Sequence, residues 1–190
     1  MGGLAYGEVV GCDVVPAAVW VGVSDAAAQQ PGDHPFEKMI GGRYLSEVCR
    51  AVFGEYLKKA IPEFTTRDMN ELISGQKTAE AILEFVVSEE EQEGLCALVR
   101  AVFARAARLI GAASFGLLSH LAQGKGVTEQ SIAIEGSLVE KIKGVPSLIE
   151  DAICIFCMAP TENTRNHVAP NSNGASVGAA IAAALSCYKL

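Results

Sequence analysis

One carboxylate at the start of a helix is the first feature of this sequence that could bind a small polar ligand. Pro31-Gly32 and Pro35 fix a turn, and the helical spacing that follows places Glu37 in the first helical turn. The apolar stripe of this helix is formed by Phe36, Met39, Ile40, Tyr44, Leu45 and Val48. Two interpretations are open. Either Glu37 only complements the helix dipole, with Gly41-Gly42 as a packing notch, or Glu37 also binds a ligand at this loop-to-helix junction.

Two turns in the second half of the chain have the composition of phosphate-binding loops. A predicted strand at 130–134 leads into Glu135-Gly136-Ser137, and a helix is predicted to begin at Leu138. A Gly-Ser turn before a helix can present backbone amides to an anion. The second turn, at 173–181, is rich in small residues, which allow close approach of a backbone to a ligand. The structural alternatives are an ordinary strand-to-helix turn and a small-residue helix packed into a sheet.

Helices and strands must position these residues. The first helix is predicted to extend to Leu57, with Pro62 stopping it, and a loop at 63–69 follows. Thr66 or Asp68 is predicted to cap a short helix around 70–73. The other predicted elements are helices at 78–85 and 89–123, a strand at 151–158 and a polar loop at 159–173. This order indicates an α/β or mixed α+β layer fold with a site at the strand ends.

The composition excludes several classes of protein. A chain of 190 residues that is 50% hydrophobic can form one substantial core, and its net charge of −7 argues against a nucleic-acid partner. The apolar run at 177–185 is too short to span a membrane, and the opening segment has no secretory signal pattern. Six cysteines are typical of reduced thiols, so a cytoplasmic location is predicted.

Isolated cysteines and histidines are assigned structural roles. Cys154 and Cys157 lie three apart in a predicted strand and would point to opposite faces, which favours core cysteines over a metal or redox site. His120 is predicted to interact with the dipole at a helix C-terminus. His167 is predicted to be exposed in a loop.

The run from Phe36 to Glu47 closely resembles the helix-opening motif of the hexokinase family, Phe-Glu-Lys-Met-Ile-x-Gly-x-Tyr-Leu-x-Glu. Three further segments resemble family motifs in the same order. They are Ala104 to Leu109 for the Arg-Ala-Ala helix, Glu135-Gly136-Ser137 for the adenosine motif Asp-Gly-Ser/Thr, and 174–180 for Gly-Ser-x-x-Gly-Ala-Ala. Thr66-Arg67-Asp68-Met69 is similar to the Thr-x-Asp-Met of many bacterial hexokinases, although helix capping is an equal explanation for it.

The resemblance covers roughly Glu8 to Leu190 and implies the large, nucleotide-side lobe of an actin-like (ribonuclease H-like) sugar kinase. The implied fold is α/β, with long helices packed on a short mixed sheet. The implied reaction transfers the γ-phosphoryl group of ATP, with Mg²⁺, to the C6 hydroxyl of glucose or a related hexose. The resemblance implies sugar binding by Glu8, Glu37 and His34. It implies nucleotide binding by Gly42, Arg43, Thr66, Gly136, Ser137, Gly174, Ala175, Ser176 and Gly178.

The two sugar-binding carboxylates, Glu8 and Glu37, are expected to converge on one pocket wall. For Glu8 the sequence alone favours simple exposure at a strand end. Two hexokinase segments have no counterpart in this sequence: the phosphate-binding Leu-Asp-x-Gly-Gly-Thr-Asn strand, and the Asn-Asp-Thr segment that carries the general base. No catalytic residue is therefore assigned within this sequence.

The expectation is one domain, 1–190, that corresponds to the large lobe without the small lobe. Such a chain would be a fragment, a truncated product or a relative that needs a second polypeptide or a homo-oligomer, and would be weakly active alone. A non-catalytic interaction protein and a sugar- or nucleotide-sensing module on the same lobe are the alternatives.

Overall fold

The computed structural model describes residues 22, 25–26, 31–63, 65–74, 88–123, 130–157, 166–171, 173–174 and 177. The helices described are α1 (Pro35–Ile40), α2 (Gly42–Leu57), α3 (Thr66–Ile73), α4 (Glu89–Leu121), α5 (Ser137–Lys141) and α6 (Val145–Phe156). The strands described are β1 (Gln130–Ile134) and β2 (Asn166–Pro170). The predictions for Glu8, Ala175, Ser176, Gly178 and the helix at 78–85 lie outside the described residues.

The two described strands pair in parallel, with Gln130 opposite Asn166 and Ile134 opposite Pro170. Parallel strands need a crossover connection, and α5 and α6 lie in the segment between them. Glu150 of α6 ties the crossover to β2, because its Oε1 accepts a hydrogen bond from the Val168 amide at 2.7 Å. Since both strands end at the same edge, the residues that follow them lie side by side there.

The long helix α4 organises the core. Its buried face consists of Leu95, Val99, Val102, Phe103, Ala106, Ala107 and Gly111. This face contacts α2 and α3 on one part of its length and α6 on another. The contact with α6 depends on Gly111, because a Cβ at that position would lie 2.6 Å from the Cβ of Ala152. The small residue therefore allows the close crossing of the two helices.

Several predicted elements are confirmed. The helix predicted at 89–123 is α4, the strand predicted at 130–134 is β1, and α5 follows it within one residue of the predicted start. His120 lies in the last turn of α4, and His167 is exposed with its Nδ1 3.2 Å from Glu150 Oε1. None of the described helices has the length and apolar character needed to cross a membrane.

The predicted strand at 151–158 is wrong, because residues 151–156 belong to helix α6. Gly144, with a φ of 93°, precedes the helix, and Pro146 lies in its first turn, where the lack of an amide hydrogen costs nothing. The buried residues of α6 recur at helical spacing, and this pattern begins before residue 151, outside the segment that was predicted as a strand. They are Val145, Ile149, Ala152 and Ile153. The prediction that Cys154 is a core cysteine is also wrong, because it lies on the exposed face.

Three boundaries differ from the prediction. The first helix is broken at Gly41, whose extended ψ of 127° separates α1 from α2. Thr65, rather than Thr66 or Asp68, caps α3. Its Oγ1 accepts a hydrogen bond from the Asp68 amide, and the Asp68 carboxylate accepts one from the Thr65 amide, which is a capping box. Strand β2 lies within the segment predicted as the loop 159–173.

Candidate functional site

The Glu37 carboxylate lies on the exposed side of α1, in the first turn as predicted. The turn before it ends at His34, an exposed residue with a left-handed φ of 50° whose carbonyl accepts the Lys38 amide at 3.1 Å. No hydrogen-bond or ion-pair partner for the Glu37 carboxylate lies in the described part of the chain. An exposed carboxylate can accept hydrogen bonds from hydroxyl groups through both of its oxygens.

Gly41 joins the helix that carries Glu37 to the helix that carries Gly42. Its amide donates a hydrogen bond to the Glu37 carbonyl at 2.6 Å, and a Cβ at Gly41 would lie 2.9 Å from that oxygen. A side chain at this position would push the two helices apart. The glycine therefore sets the spacing between Glu37 and the start of α2.

Three residues assigned to nucleotide binding converge from distant parts of the sequence. Thr66 Oγ1 donates a hydrogen bond to the Gly42 carbonyl at 2.5 Å. A Cβ at Gly42 would lie 3.4 Å from Thr66 Oγ1 and 3.8 Å from Ser137 Oγ. The first turns of α2, α3 and α5 thus meet around the bare backbone of Gly42, with two hydroxyl groups beside it.

A cleft of about 200 Å³ opens next to this cluster. Its lining is polar and consists of Arg43, Tyr44, Ser46, Glu47, Glu63, Thr65 and Thr66. Glu47 is neutralised by Arg50, whose Nη2 lies 2.6 Å from its carboxylate. Arg43, in contrast, has no carboxylate partner among the residues the structure describes. Its exposed guanidinium lines the cleft and can pair with an anion such as a phosphate.

The edge where β1 and β2 end carries the other glycines of the predicted nucleotide site. Gly136 has φ 139° and ψ 148°, a conformation that is essentially restricted to glycine. A Cβ at Gly174 would lie 2.5 Å from Asn171 Nδ2 and 3.1 Å from Glu135 Oε2. Gly136 is thus required by backbone conformation, whereas a side chain at Gly174 would displace the ends of the Asn171 and Glu135 side chains.

One turn amide is not available to a ligand. The Gly136 amide donates to the Glu140 carboxylate at 3.3 Å, so this group is already satisfied within the protein. Glu135 lies beside Gly174, and Ser137 lies beside Gly42. Because only Gly136 separates Glu135 from Ser137, the two glycine positions border one continuous region.

Asn70, near the cleft in sequence, carries a buried polar atom that the sequence analysis did not identify. Its Oδ1 is buried and has no hydrogen-bond partner within the described residues. Leaving such an atom unpaired costs about 1–3 kcal/mol, which a bound donor would offset. Asn70 lies one helical turn after Thr66 on α3, and this spacing was the signal that could have identified it.

The structure therefore brings together Gly42, Thr66 and Ser137, places Arg43 in the adjoining cleft, and sets Glu37 close to Gly42 in the chain. Gly136 and Gly174 lie at the strand ends beside this cluster. His34 immediately precedes α1. The expected convergence of Glu8 with Glu37 lies outside the described residues, as do Ala175, Ser176 and Gly178.

Comparison with known proteins gives a consistent family. The family model described as "Hexokinase" matches residues 22–185. The chain is 26% identical to glucokinase-1 of Kluyveromyces lactis, with 80% of this chain and 37% of that protein covered. It is 24% identical to human hexokinase-3, with 86% and 20% covered, and 26% identical to the chloroplastic hexokinase-4 of rice, with 84% and 36% covered.

A solved structure has the same fold. The hexokinase of Schistosoma mansoni, complexed with glucose, superposes with a TM-score of 0.64 at 19% identity, over 80% of this chain and 38% of that one. The predicted α/β, actin-like fold is confirmed by this likeness. The chain spans between 20% and 38% of the length of the relatives it matches. Because the family model covers most of its length, the chain belongs to the hexokinase family.

Proposed function

We propose that this chain forms the large lobe of a hexose kinase, which transfers the γ-phosphoryl group of ATP to the C6 hydroxyl of glucose or a related hexose. The observation that carries the proposal is the convergence of Gly42, Thr66 and Ser137 a few residues from the exposed carboxylate of Glu37. A phosphotransferase needs its acceptor and its nucleotide side by side. This arrangement provides adjacent positions for the two substrates.

The sugar would bind at the N-terminal end of α1. Glu37 accepts hydrogen bonds from paired hydroxyl groups, and Glu8 and His34 add contacts by family resemblance. Glu37 lies in the helix that ends at Ile40, and Gly42 begins the next helix after the single residue Gly41. A hexose held by Glu37 therefore lies within reach of a phosphate held near Gly42.

The nucleotide would occupy the region around Gly42 and the strand ends. A Cβ at Gly42 would enter the space between Thr66 and Ser137, so the bare backbone leaves room for a ligand there. The Ser137 hydroxyl donates to a phosphate oxygen, Thr66 holds the Gly42 backbone in place through its hydrogen bond to the Gly42 carbonyl, and Arg43 contributes a positive charge. Gly136, Gly174, Ala175, Ser176 and Gly178 complete the proposed set.

The proposed cofactor is Mg²⁺ bound to ATP, which shares the negative charge of the transferring phosphoryl group. Within the described residues, no group of three His, Cys, Asp or Glu side chains is arranged to hold a metal ion. Mg²⁺ commonly binds substrate phosphates and water with few protein ligands. Mg²⁺ is therefore proposed to arrive bound to the phosphates of the nucleotide.

The proton acceptor for the hexose hydroxyl is proposed to lie in the small lobe, because the Asn-Asp-Thr segment that carries it in the family does not occur in this sequence. The second candidate is a non-catalytic sugar- or nucleotide-binding protein on the same lobe. A cytoplasmic location remains a prediction, since one relative is chloroplastic by name.

The proposal is tested by calorimetric titration of the chain with glucose and, separately, with Mg-ATP. Glu37→Gln is expected to weaken glucose binding by about tenfold or more, because hydrogen bonds to a charged acceptor contribute about 1.5–3 kcal/mol, and to leave ATP binding unchanged. Thr66→Val should weaken ATP binding and leave glucose binding unchanged. Glu55→Gln, on the exposed face of α2, is the matched control and should change neither affinity.

A coupled assay for hexose phosphate, with the chain extended by a family small lobe, then separates the two candidates. Phosphate transfer that is lost in Glu37→Gln supports the kinase. If both ligands bind but neither the chain alone nor the extended chain transfers phosphate, the result supports the non-catalytic alternative. A chain that binds neither glucose nor ATP would contradict both.

A further inference from the structure

The residue after Glu37 is a buried cation. The Lys38 side chain is only 4% exposed, and its Nζ lies 2.5 Å from Oδ1 of Asp25. The same carboxylate oxygen accepts a hydrogen bond from the Gly32 amide at 2.8 Å. A buried ammonium group is stable only when it is paired, so Lys38 must remain with its partner. One carboxylate thereby joins helix α1, the turn before it and the segment around residue 25.

Helix α1 depends on such outside contacts for its orientation. It has six residues, too few for a stable isolated helix. On its C-terminal side, Arg105 of α4 donates a hydrogen bond to the Met39 carbonyl at 3.5 Å. On its N-terminal side, the contact with Asp25 holds it. The two contacts fix the direction in which α1 presents its side chains.

Glu37 and Lys38 are consecutive, so their side chains diverge by about 100° around the helix axis. When Lys38 is held inward by Asp25, Glu37 is turned outward, as its exposure shows. We propose that Asp25 and Lys38 are positioning residues for the hexose site, and that their ion pair orients the Glu37 carboxylate toward the sugar. This inference rests on the proposed function, since it assigns Glu37 to the hexose.

Two other described pairs join separate segments, Lys59 with Glu91 and His167 with Glu150, but neither has a buried cation, since Lys59 is 36% and His167 74% exposed. Lys58 pairs with Glu55, and Arg50 with Glu47, in each case three residues apart in the chain. Such pairs leave the relation between segments unchanged, and exposed pairs of this type contribute little. Asp25 and Lys38 are thirteen residues apart and belong to different segments. Their pair therefore restrains one segment against another.

The experiment compares Asp25→Asn, Lys38→Met and the double variant with the unchanged chain, and uses Glu55→Gln as the matched control. Glucose and Mg-ATP affinities are measured by calorimetry, and exchange of the Gly32 amide by NMR without ligand. Asp25→Asn is expected to weaken glucose binding roughly tenfold, because a neutral acceptor replaces the carboxylate that pairs with the Lys38 ammonium group, and to leave ATP binding unchanged. It should also accelerate Gly32 exchange.

The double variant should lose no more glucose affinity than the single variant with the larger loss, because both substitutions remove the same contact. Lys38→Arg, which keeps the cation, should retain most of the affinity. Asp25→Asn preserves the size of the side chain and one acceptor oxygen, so it provides a folded variant if Lys38→Met unfolds.

Unchanged glucose affinity in a variant with accelerated Gly32 exchange would overturn the inference. Equal losses of glucose and ATP affinity, together with a lower melting temperature, would also overturn it by showing a merely structural role. If the unchanged chain fails to bind glucose, the proposed function fails and the assignment to a hexose site fails with it. In that case, exchange of the Gly32 amide still tests whether Asp25 restrains the turn that contains Gly32. An unchanged exchange rate in Asp25→Asn would contradict that restraint.

Discussion

The carboxylate of Asp25 connects the local chemistry of α1 to the stability of the chain. The hydrogen bond from Lys38, and then that from the Gly32 amide, hold the pKa of the Asp25 carboxyl below its ordinary value of 3.8. A carboxyl group whose pKa is lower in the folded state than in the unfolded state stabilises the fold above the unfolded pKa. This contribution is lost as the pH falls through the folded pKa.

A pH dependence follows from that shift. The free energy of unfolding of the unchanged chain should exceed that of Asp25→Asn at pH 5 to 7, and the difference should shrink as the pH falls below 3.8. Chemical denaturation of both proteins at a series of pH values measures this difference. A difference that stays constant down to about pH 2 would contradict the role of the Asp25 charge.

For single residues, local sequence patterns predicted some structural positions and could not predict others. The turn prolines and the helical spacing correctly placed Glu37 in a first helical turn. The burial of Lys38 was not predicted, because it depends on Asp25, which is distant in sequence. Asn70 lies one helical turn after Thr66, but only packing shows that its Oδ1 is buried without a described partner.

Among the helices, the crossing of α4 and α6 gives a sharp test of packing. Gly111→Ala should lower the free energy of unfolding by about 1–3 kcal/mol, because the new Cβ would lie 2.6 Å from the Cβ of Ala152 and the helices must move apart. Gly116→Ala on the same helix is the control. Its Cβ would meet no atom within 4 Å, so the higher helix propensity of alanine should stabilise by up to about 1 kcal/mol.

Urea denaturation of the two variants measures both effects. If Gly111→Ala were as stable as Gly116→Ala, the close approach of α4 to α6 would not be the reason for the glycine. The comparison removes the general effect of replacing glycine in a helix, because both residues lie within α4.

Elements were predictable where a pattern was long or had clear ends. The apolar spacing of α4 extends over many turns, and glycines stand in the sequence on both sides of β1, so both elements were identified correctly. Helix α6 was missed because a short apolar run fits a buried strand and a buried helix equally well. Strand β2 was missed because its partner β1 is distant in sequence, so its pairing left no local signal.

For the whole molecule, ligand binding should appear as added stability. A ligand that binds only the folded chain stabilises it by about 2.7 kcal/mol at a concentration one hundred times its Kd. Thermal unfolding with increasing Mg-ATP should therefore raise Tm for the unchanged chain. Thr66→Val should need a higher ATP concentration for the same increase, and Glu37→Gln should respond to ATP as the unchanged chain does.

An equal response of Thr66→Val and the unchanged chain would contradict the proposed nucleotide site. Parallel titrations with glucose provide the internal control, because there the order of the two variants should reverse.

The convergence of Gly42, Thr66 and Ser137 could not have been derived from periodicity, since their contact depends on how α2, α3 and α5 pack together. Family resemblance grouped them as nucleotide-binding residues, and the structure shows that they are neighbours. Their binding roles remain predictions. The α/β fold was predictable because the order of motifs carries information that single segments do not.

The parallel pairing of β1 with β2 also has a consequence for synthesis on the ribosome. Translation produces β1 first, and α5 and α6 must follow before β2 emerges to pair with it. A nascent chain halted between the two strands therefore holds β1 without the hydrogen bonds that β2 supplies, and unpaired strand edges promote association between chains. Slow translation through the crossover would favour aggregation of this polypeptide, whereas prompt delivery of β2 would protect it.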